Sequence, residues 1–337
     1  MFIKKFRLTS YDEKEEGNME YTKLGSSGIE ISRLCVGCMS FGDPASNMHA
    51  WTLNPSESEA IIKHALELGI NFFDTANSYS AGTSEEYLGR AIKNNRNRDK
   101  VVIATKVYFN EGNLSREAIA RELDQSLKRL GTDYVDLLII HRFDYQTPVE
   151  ETMEALHQAV KSGKVRALGA SAMYGYQFAK LQNTAEKNGW TKFVSMQNHY
   201  NLLYREDERE LIPICKEQGV VLTPYSPLAA GRLSRSWSAE TLRSQSDVIA
   251  AEKYDKTKES DIEIVKRVAE LADRRSCTMT QIALAWQFYK GVSAPLIGAT
   301  KASYFDDAAK SLELALDKEE VDYLEELYMP HKIVGAL

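Results

Sequence analysis

Asp74, Tyr79, Lys106 and His141 bring an acid, a phenol, an ammonium and an imidazole to related places in this chain. Asp74 closes the run Ile70-Asn71-Phe72-Phe73, Lys106 closes Val101 to Thr105, and His141 follows Val135 to Ile140. Tyr79 lies five residues past Asp74. The three runs read as strands, and parallel strands in a closed barrel bring their C-terminal ends to one face. A free phenol has a pKa of about 10, too high for a good acid at neutral pH. A nearby ammonium favours the phenolate, so Lys106 is expected to lower Tyr79, with Asp74 holding the lysine charged. His141 can donate a hydrogen bond to a carbonyl oxygen and orient it. Such a set protonates an oxyanion as it forms, and it offers neither a nucleophile nor a metal set. The reacting carbon must then take something else, and a hydride from a nicotinamide is the evident candidate. Taken singly, each residue has a plainer reading: a strand-end lysine, a satisfied core histidine, a loop tyrosine. Their joint placement argues for chemistry.

The elements that must position these groups are legible as an alternation. Apolar runs over 33–38, 70–75, 101–106, 135–141, 165–171, 193–198, 220–226 and 294–299 read as strands. Helical patterns lie between them. Ser56-Glu57-Ser58-Glu59 reads as a capping box opening the first, which Gly69 ends. Others are expected over 84–93, 115–130, 148–162, 175–188, 207–218, 260–274, 278–289 and 303–313. Eight βα repeats predict an α/β fold, a (β/α)8 TIM barrel. An N-terminal β-hairpin is expected over Tyr21 to Ile31. A doubly wound sheet would want a G-x-G-x-x-G loop after an early strand, and none occurs. The loop between Ser226 and Ser260 is long, carries Arg232, Arg235 and Arg243, and reads as a lid over a ligand.

Bulk properties fit this picture. The 337 residues exceed the roughly 250 of a barrel. With 43% hydrophobic and 27% charged residues the composition is that of a globular protein. A net charge of −6 argues against nucleic acid or anionic membrane as partner. No apolar stretch approaches the ~20 residues of a membrane helix. Residues 1–18 form a polar extension without an apolar h-region, Met19 is a plausible second start, and 19–337 reads as one domain. Cys35 and Cys38 form one C-x-x-C inside a strand, which reads as structural, since a zinc site would need a second pair. A reduced, cytoplasmic compartment is expected.

The segment Gly69 to Tyr79 (GINFFDTANSY) resembles the signature of the aldo-keto reductases. So do Ala104-Thr105-Lys106, Leu127 to His141 (LKRLGTDYVDLLIIH), Gln197 to Leu203 (QNHYNLL) and Pro224 to Leu228 (PYSPL). The similarity runs in order from about Tyr21 to the C-terminus. His49-Ala50-Trp51-Thr52-Leu53 and Lys332-Ile333-Val334-Gly335 favour the aryl-alcohol dehydrogenase-like or sugar-type branch, described as bacterial and fungal.

The resemblance implies a metal-free reductase of aldehydes or ketones using NADPH. Tyr79 would be the general acid, Lys106 and Asp74 would tune it, and His141 would orient the carbonyl. Ser171 and Gln197 would hold the nicotinamide amide and Tyr225 would stack on its ring. Ser226, Pro227, Leu228, Gly231 and Arg232 would lie along the pyrophosphate. Gly298, Thr300, Lys301, Tyr304 and Asp307 fall where the family binds the adenosine part, with Lys301 placed for the 2′-phosphate. Two positions depart from the family pattern: Ala172 and Ala308 stand where asparagine is common, which puts two cofactor contacts in doubt. Phe41, Trp51, Tyr108, Phe109 and Phe143 could wall an aromatic substrate pocket or serve as packing. Arg142 could meet an anionic or hydroxyl group of the substrate, or pair with Asp144. The alternative function is a nicotinamide-binding regulatory or redox-sensing subunit, like the potassium-channel β-subunits of this architecture. A metal-dependent barrel hydrolase would need clustered ligands at strand ends, and only His141 sits there.

Overall fold

The computed structural model describes residues 19–46, 51–96, 98–239, 241 and 245–334. The extension 1–18, and with it part of the expected domain division, lies outside the described residues, as do His49, Ala50, Arg243 and Gly335. The chain opens with β1 (Tyr21–Lys23) and β2 (Glu30–Ser32), an antiparallel hairpin. Then come β3 (Cys35–Gly37), β4 (Phe72–Asp74), β5 (Val102–Val107), β6 (Val135–Ile140), β7 (Val165–Ser171), β8 (Phe193–Gln197), β9 (Val221–Leu222) and β10 (Leu296–Ile297). They pair in parallel in the order β10-β3-β4-β5-β6-β7-β8-β9. The two ends of this sheet meet. Ser293 N donates to Leu222 O at 3.0 Å and Leu296 N donates to Pro224 O at 3.0 Å, which closes the (β/α)8 barrel.

The two-residue side-chain period sorts each strand into an inner and an outer column. Val36, Phe73, Ile103, Leu138, Ile140, Leu168, Ala170 and Met196 point outward and pack with the helices in the larger core. Cys35, Phe72, Val102, Ala104, Leu137, Ile139 and Ala167 point inward and form a smaller core. Leu24 and Ile31 from the hairpin join that inner core, so the hairpin plugs the N-terminal end of the barrel. A Cβ at Gly169 would meet Ser195 Oγ at 2.7 Å and Ile139 Cγ1 at 3.0 Å, so a side chain here would have to displace its neighbours inside the barrel.

The surrounding helices are α1 (Pro55–Glu67), α2 (Thr83–Asn95), α3 (Arg116–Leu130), α4 (Val149–Lys161), α5 (Gly175–Asn188) and α6 (Leu211–Glu217). After β9 follow α7 (Val248–Tyr254), α8 (Lys258–Arg275), α9 (Met279–Tyr289), α10 (Ser303–Lys310) and α11 (Lys318–Glu325). The cap of α1 is two residues earlier than the sequence suggested. Asn54 accepts from Ser56 N and Glu57 N, and Glu57 returns the bond to Asn54 N. Pro55 fixes this choice, because proline lacks an N–H and suits the first helical position. The expected strands 220–226 and 294–299 shrink to two residues each, since Pro224 and Pro295 cannot donate to a ladder.

Candidate active site

The inner columns end in polar residues at the C-terminal mouth. Phe72 leads to Asp74, Val102 and Ala104 to Lys106, Ala167 and Gly169 to Ser171, and Ser195 to Gln197. Lys106 is the centre of the cluster and is fully buried. Its Nζ donates to Asp74 Oδ1 at 2.5 Å, to Thr75 O at 2.8 Å and to Tyr79 Oη at 3.0 Å. These satisfy all three ammonium protons, the condition for burying such a charge. Gln197 Nε2 donates to the other Asp74 oxygen at 2.9 Å. His141 stands edge-on to the Tyr79 ring at 5.9 Å between centroids.

Tyr79 comes from the turn after β4, and that turn is held on several sides. Asn77 donates to Asn110 Oδ1 and Glu122 Oε2, both at 3.1 Å. Thr75 Oγ1 and Ser84 Oγ are 2.9 Å apart, and Ser84 Oγ donates to Cys38 O. Just past Tyr79, Ser80 (φ 46°) and Ala81 (φ 55°) both adopt the left-handed conformation. Such residues cost on the order of 1 kcal/mol each and persist only where packing over-determines them. Here the packing includes Gly42, whose missing Cβ leaves room for Ser80. Beneath the turn, Glu85 is buried and accepts from Thr105 Oγ1 at 2.5 Å and from Arg129 Nε at 2.6 Å.

Charge states follow from burial and from the partners. Burial pushes the Asp74 carboxyl up, while Lys106 and Gln197 oppose it. Burial pushes Lys106 down, but Asp74 and Tyr79 outweigh it and the ammonium is retained. Burial pushes the Tyr79 phenol up, and Lys106 offsets only part of this. This corrects the expectation that the ammonium lowers Tyr79: desolvation is the larger effect. The phenol therefore keeps its proton at neutral pH, and an alkoxide, far more basic, can still take it. His141 falls well below its ordinary value, through burial and then through the charges of Lys106 and Arg142, so its ring is neutral. Its Nδ1 has no partner among the described residues. The arrangement can hold one proton on Tyr79 Oη, backed by a fixed cation, beside a neutral imidazole.

Residues 33–329 match the Aldo/keto reductase family. The chain belongs to that family. It is an oxidoreductase acting on carbonyl and alcohol groups. It is 44% identical over 341 residues to versiconal hemiacetal acetate reductase of Aspergillus parasiticus, covering 94% of this chain and 98% of that one. A Schizosaccharomyces pombe chain, provisionally named an aryl-alcohol dehydrogenase, is 43% identical over 94% of this chain and 98% of its own length. The aldo-keto reductase AMT2 of Alternaria alternata is 44% identical over 91% of both. These relatives are fungal, and the sugar-type bacterial part of the branch expectation has no counterpart among them.

Aldo/keto reductases take a nicotinamide cofactor, and the mouth of this barrel can receive one. Ser171 Oγ and Tyr225 Oη are buried there without partners among the described residues. Tyr225 lies parallel to His199 at 5.2 Å, and His199 stacks on Tyr204 at 4.1 Å, a three-ring pile that sequence reading missed. Tyr254 of α7 fixes it from the loop side: its hydroxyl is 2.7 Å from His199 Nε2 and accepts from Asn201 Nδ2 at 3.1 Å. Ser226, Ala229 and Ala230 have positive φ, as does Gly231 (φ 95°), and Pro227 and Leu228 lie within that turn. Arg232 pairs with Asp255 at 2.5 Å and lies over the rings of Trp237 and Tyr254. The long loop is thus pinned to the ring pile by its own helix.

The remaining sequence candidates divide. Gly298 and Thr300 follow β10, and Lys301 and Tyr304 are exposed beside them. Asp307 is already engaged, accepting from Thr278 Oγ1 at 2.9 Å and Gln281 Nε2 at 2.7 Å, so it ties α10 to α9. Phe41 is fully buried in the larger core and Trp51 nearly so. Tyr108 and Phe143 are half-buried against that core. Phe109 is exposed, with its ring 4.9 Å from His141. The Arg142–Asp144 pair does not form: Asp144 accepts instead from Leu114 N, Gln146 N and Thr147 Oγ1.

Proposed function

We propose that one domain over residues 19–337 reduces aldehydes or ketones to alcohols with NADPH. The observation that carries this is the Tyr79 hydroxyl, 3.0 Å from the Lys106 ammonium at the C-terminal mouth of the barrel. Tyr79 gives its proton to the carbonyl oxygen. Lys106, held charged by Asp74, stabilises the phenolate left behind. His141, neutral, donates a hydrogen bond that aims the carbonyl. When bound, the nicotinamide supplies the hydride that the carbonyl carbon accepts.

For the cofactor, Ser171 and Gln197 hold the carboxamide and Tyr225 carries the ring. Their support is the pair of unpartnered buried atoms, Ser171 Oγ and Tyr225 Oη. Ser226 to Leu228, Gly231 and Arg232 lie along the pyrophosphate. Gly298, Thr300, Lys301 and Tyr304 take the adenosine end, and exposed Lys301 reads the 2′-phosphate. Asp307 acts there only by orienting α10. The substrate is a small carbonyl compound; its wall is Phe109, whose ring lies 4.9 Å from that of His141, with Tyr108 against it, and Phe143 is a further candidate. We place the protein in the cytoplasm, where its four free thiols would stay reduced. No helix among the described residues is long and apolar enough to cross a membrane.

The test follows NADPH oxidation by near-ultraviolet absorbance with an activated aromatic aldehyde. Wild type should turn over, and Tyr79→Phe should lose reduction by about a thousandfold while binding NADPH nearly as well. Near-normal turnover in Tyr79→Phe removes the proposed acid.

A further inference from the structure

At the mouth of the barrel, Arg142 carries a charge with no carboxylate partner among the described residues. Arg142 follows His141 and is half-buried. Its Nη1 donates to His141 O at 2.6 Å, and its Cζ lies 5.4 Å from the Phe109 ring centre. Among the described residues it has no carboxylate within ion-pair distance. Among the half-buried arginines, Arg98, Arg129, Arg205, Arg232 and Arg267 each have a carboxylate at 2.5 to 2.8 Å, and Arg33, which bonds two backbone carbonyls, has Glu20 at 4.0 Å. The natural acid beside it, Asp144, is consumed by Leu114 N at 3.0 Å, Gln146 N at 2.8 Å and Thr147 Oγ1 at 2.7 Å. A guanidinium partly screened from water gains from a counterion, and no side chain among the described residues supplies one, so an anionic ligand is a fitting partner.

The position says where that anion lies. Bonded to the His141 carbonyl and set against the Phe109 ring, the guanidinium lies at the same mouth as the proton donor. Phe109, half exposed, has its ring 4.9 Å from that of His141 and 5.4 Å from the Arg142 guanidinium, so a flat ligand reaching both would meet it. A planar guanidinium matches a carboxylate through two parallel N–H donors.

We propose that Arg142 binds a carboxylate carried by an aromatic carbonyl substrate, so that this enzyme selects acidic aromatic aldehydes over neutral ones. The inference rests on the carbonyl-reductase reading and names the substrate class of that same site. The substrate ring lies against Phe109, its carbonyl reaches His141 and Tyr79, and its carboxylate ends on Arg142.

The experiment compares 4-carboxybenzaldehyde with its methyl ester, in wild type, Arg142→Gln and Arg142→Lys. Wild type should favour the acid in kcat/KM, through KM. The acid-to-ester ratio should fall by about ten- to hundredfold in Arg142→Gln, the range of one hydrogen-bonded charge pair, and recover in part in Arg142→Lys. An unchanged ratio overturns the proposal. A higher KM for NADPH with an unchanged ratio assigns the guanidinium to a cofactor phosphate and overturns it as well. No turnover of either aldehyde by wild type refutes the carbonyl-reductase reading itself, and the substrate assignment with it.

Discussion

Replacing Lys106 by Met removes the ammonium and leaves a stem of similar length. Three bonds disappear, at 2.5, 2.8 and 3.0 Å. Asp74 remains, 1% exposed, with Gln197 as its other side-chain partner. Removing one member of a buried ion pair costs about 3–5 kcal/mol at neutral pH. The chain can limit this cost by protonating Asp74. Burial already raises that carboxyl, and Lys106 is the largest opposing influence, so its loss raises the folded-state pKa further. The unfolded value is about 3.9. A folded value above it means that the folded state binds the extra proton. Stability is therefore greatest below pH 4 and is lost as pH rises through the folded pKa, by up to about 1.4 kcal/mol per pH unit. Between pH 7.5 and 5.5 the variant should regain up to about 2.7 kcal/mol of its deficit relative to wild type. Asp74→Asn combined with Lys106→Met removes the stranded charge and should recover most of the loss at pH 7.5. Urea unfolding of the three proteins at both pH values provides the measurement. An equal deficit at pH 5.5 and 7.5, with no gain in the double variant, would show that Asp74 is not left as a buried carboxylate.

Ala172 occupies the left-handed region (φ 44°), where alanine costs about 1 kcal/mol and asparagine less. Ala172→Asn should raise Tm by about 1–3 °C and lower the KM for NADPH; a fall in Tm on calorimetry would contradict this. Burial pushes Asp207 up to about 7, against the Asn198 amide and helped by Glu206. Its folded value lies above the unfolded one, so it withdraws stability as pH climbs from about 4 to 7. Asp207 is still partly accessible, which discounts the effect, so Asp207→Asn should stabilise by about 1–2 kcal/mol at pH 8 and little at pH 4. Equal effects on the unfolding midpoint at the two pH values would rule that out. Lys301→Ala should raise the KM for NADPH more than that for NADH, and an equal rise would show that Lys301 does not read the 2′-phosphate.

Much of the barrel was legible because its signal is local and repeated. Each central strand is an apolar run whose inner column ends in a polar residue, and that alternation survives in β5, β6 and β7 almost unchanged. The errors have local causes too. Two overlapping cap patterns compete at α1, and Pro55 decides between them in favour of Asn54. Helix α11 was readable from Asp317 and Glu320, which form a capping box ahead of Val321 and Leu324. Helix α7 is only seven residues long and sits in a stretch without sustained periodicity, so its existence depends on what it packs against.

The site divides along the same line between local and non-local. Strand-end position brings Asp74, Lys106 and His141 together, because parallel neighbours in register share an end. Local pattern is silent on balance between opposing effects: that burial outweighs the ammonium at Tyr79 depends on how completely the turn closes over it. It is equally silent on the ring pile. His199 meets Tyr225 because β8 and β9 are adjacent, and it meets Tyr254 because a loop folds back across 55 residues of sequence. Neither contact leaves a periodic trace. The absent counterion of Arg142 is the extreme case. In sequence, Arg142 could equally meet a substrate group or pair with Asp144, two residues on, and the fold instead engages Asp144 with Leu114 N, Gln146 N and Thr147 Oγ1. A charge left over in this way is visible only once every other acid near the mouth has been assigned a partner.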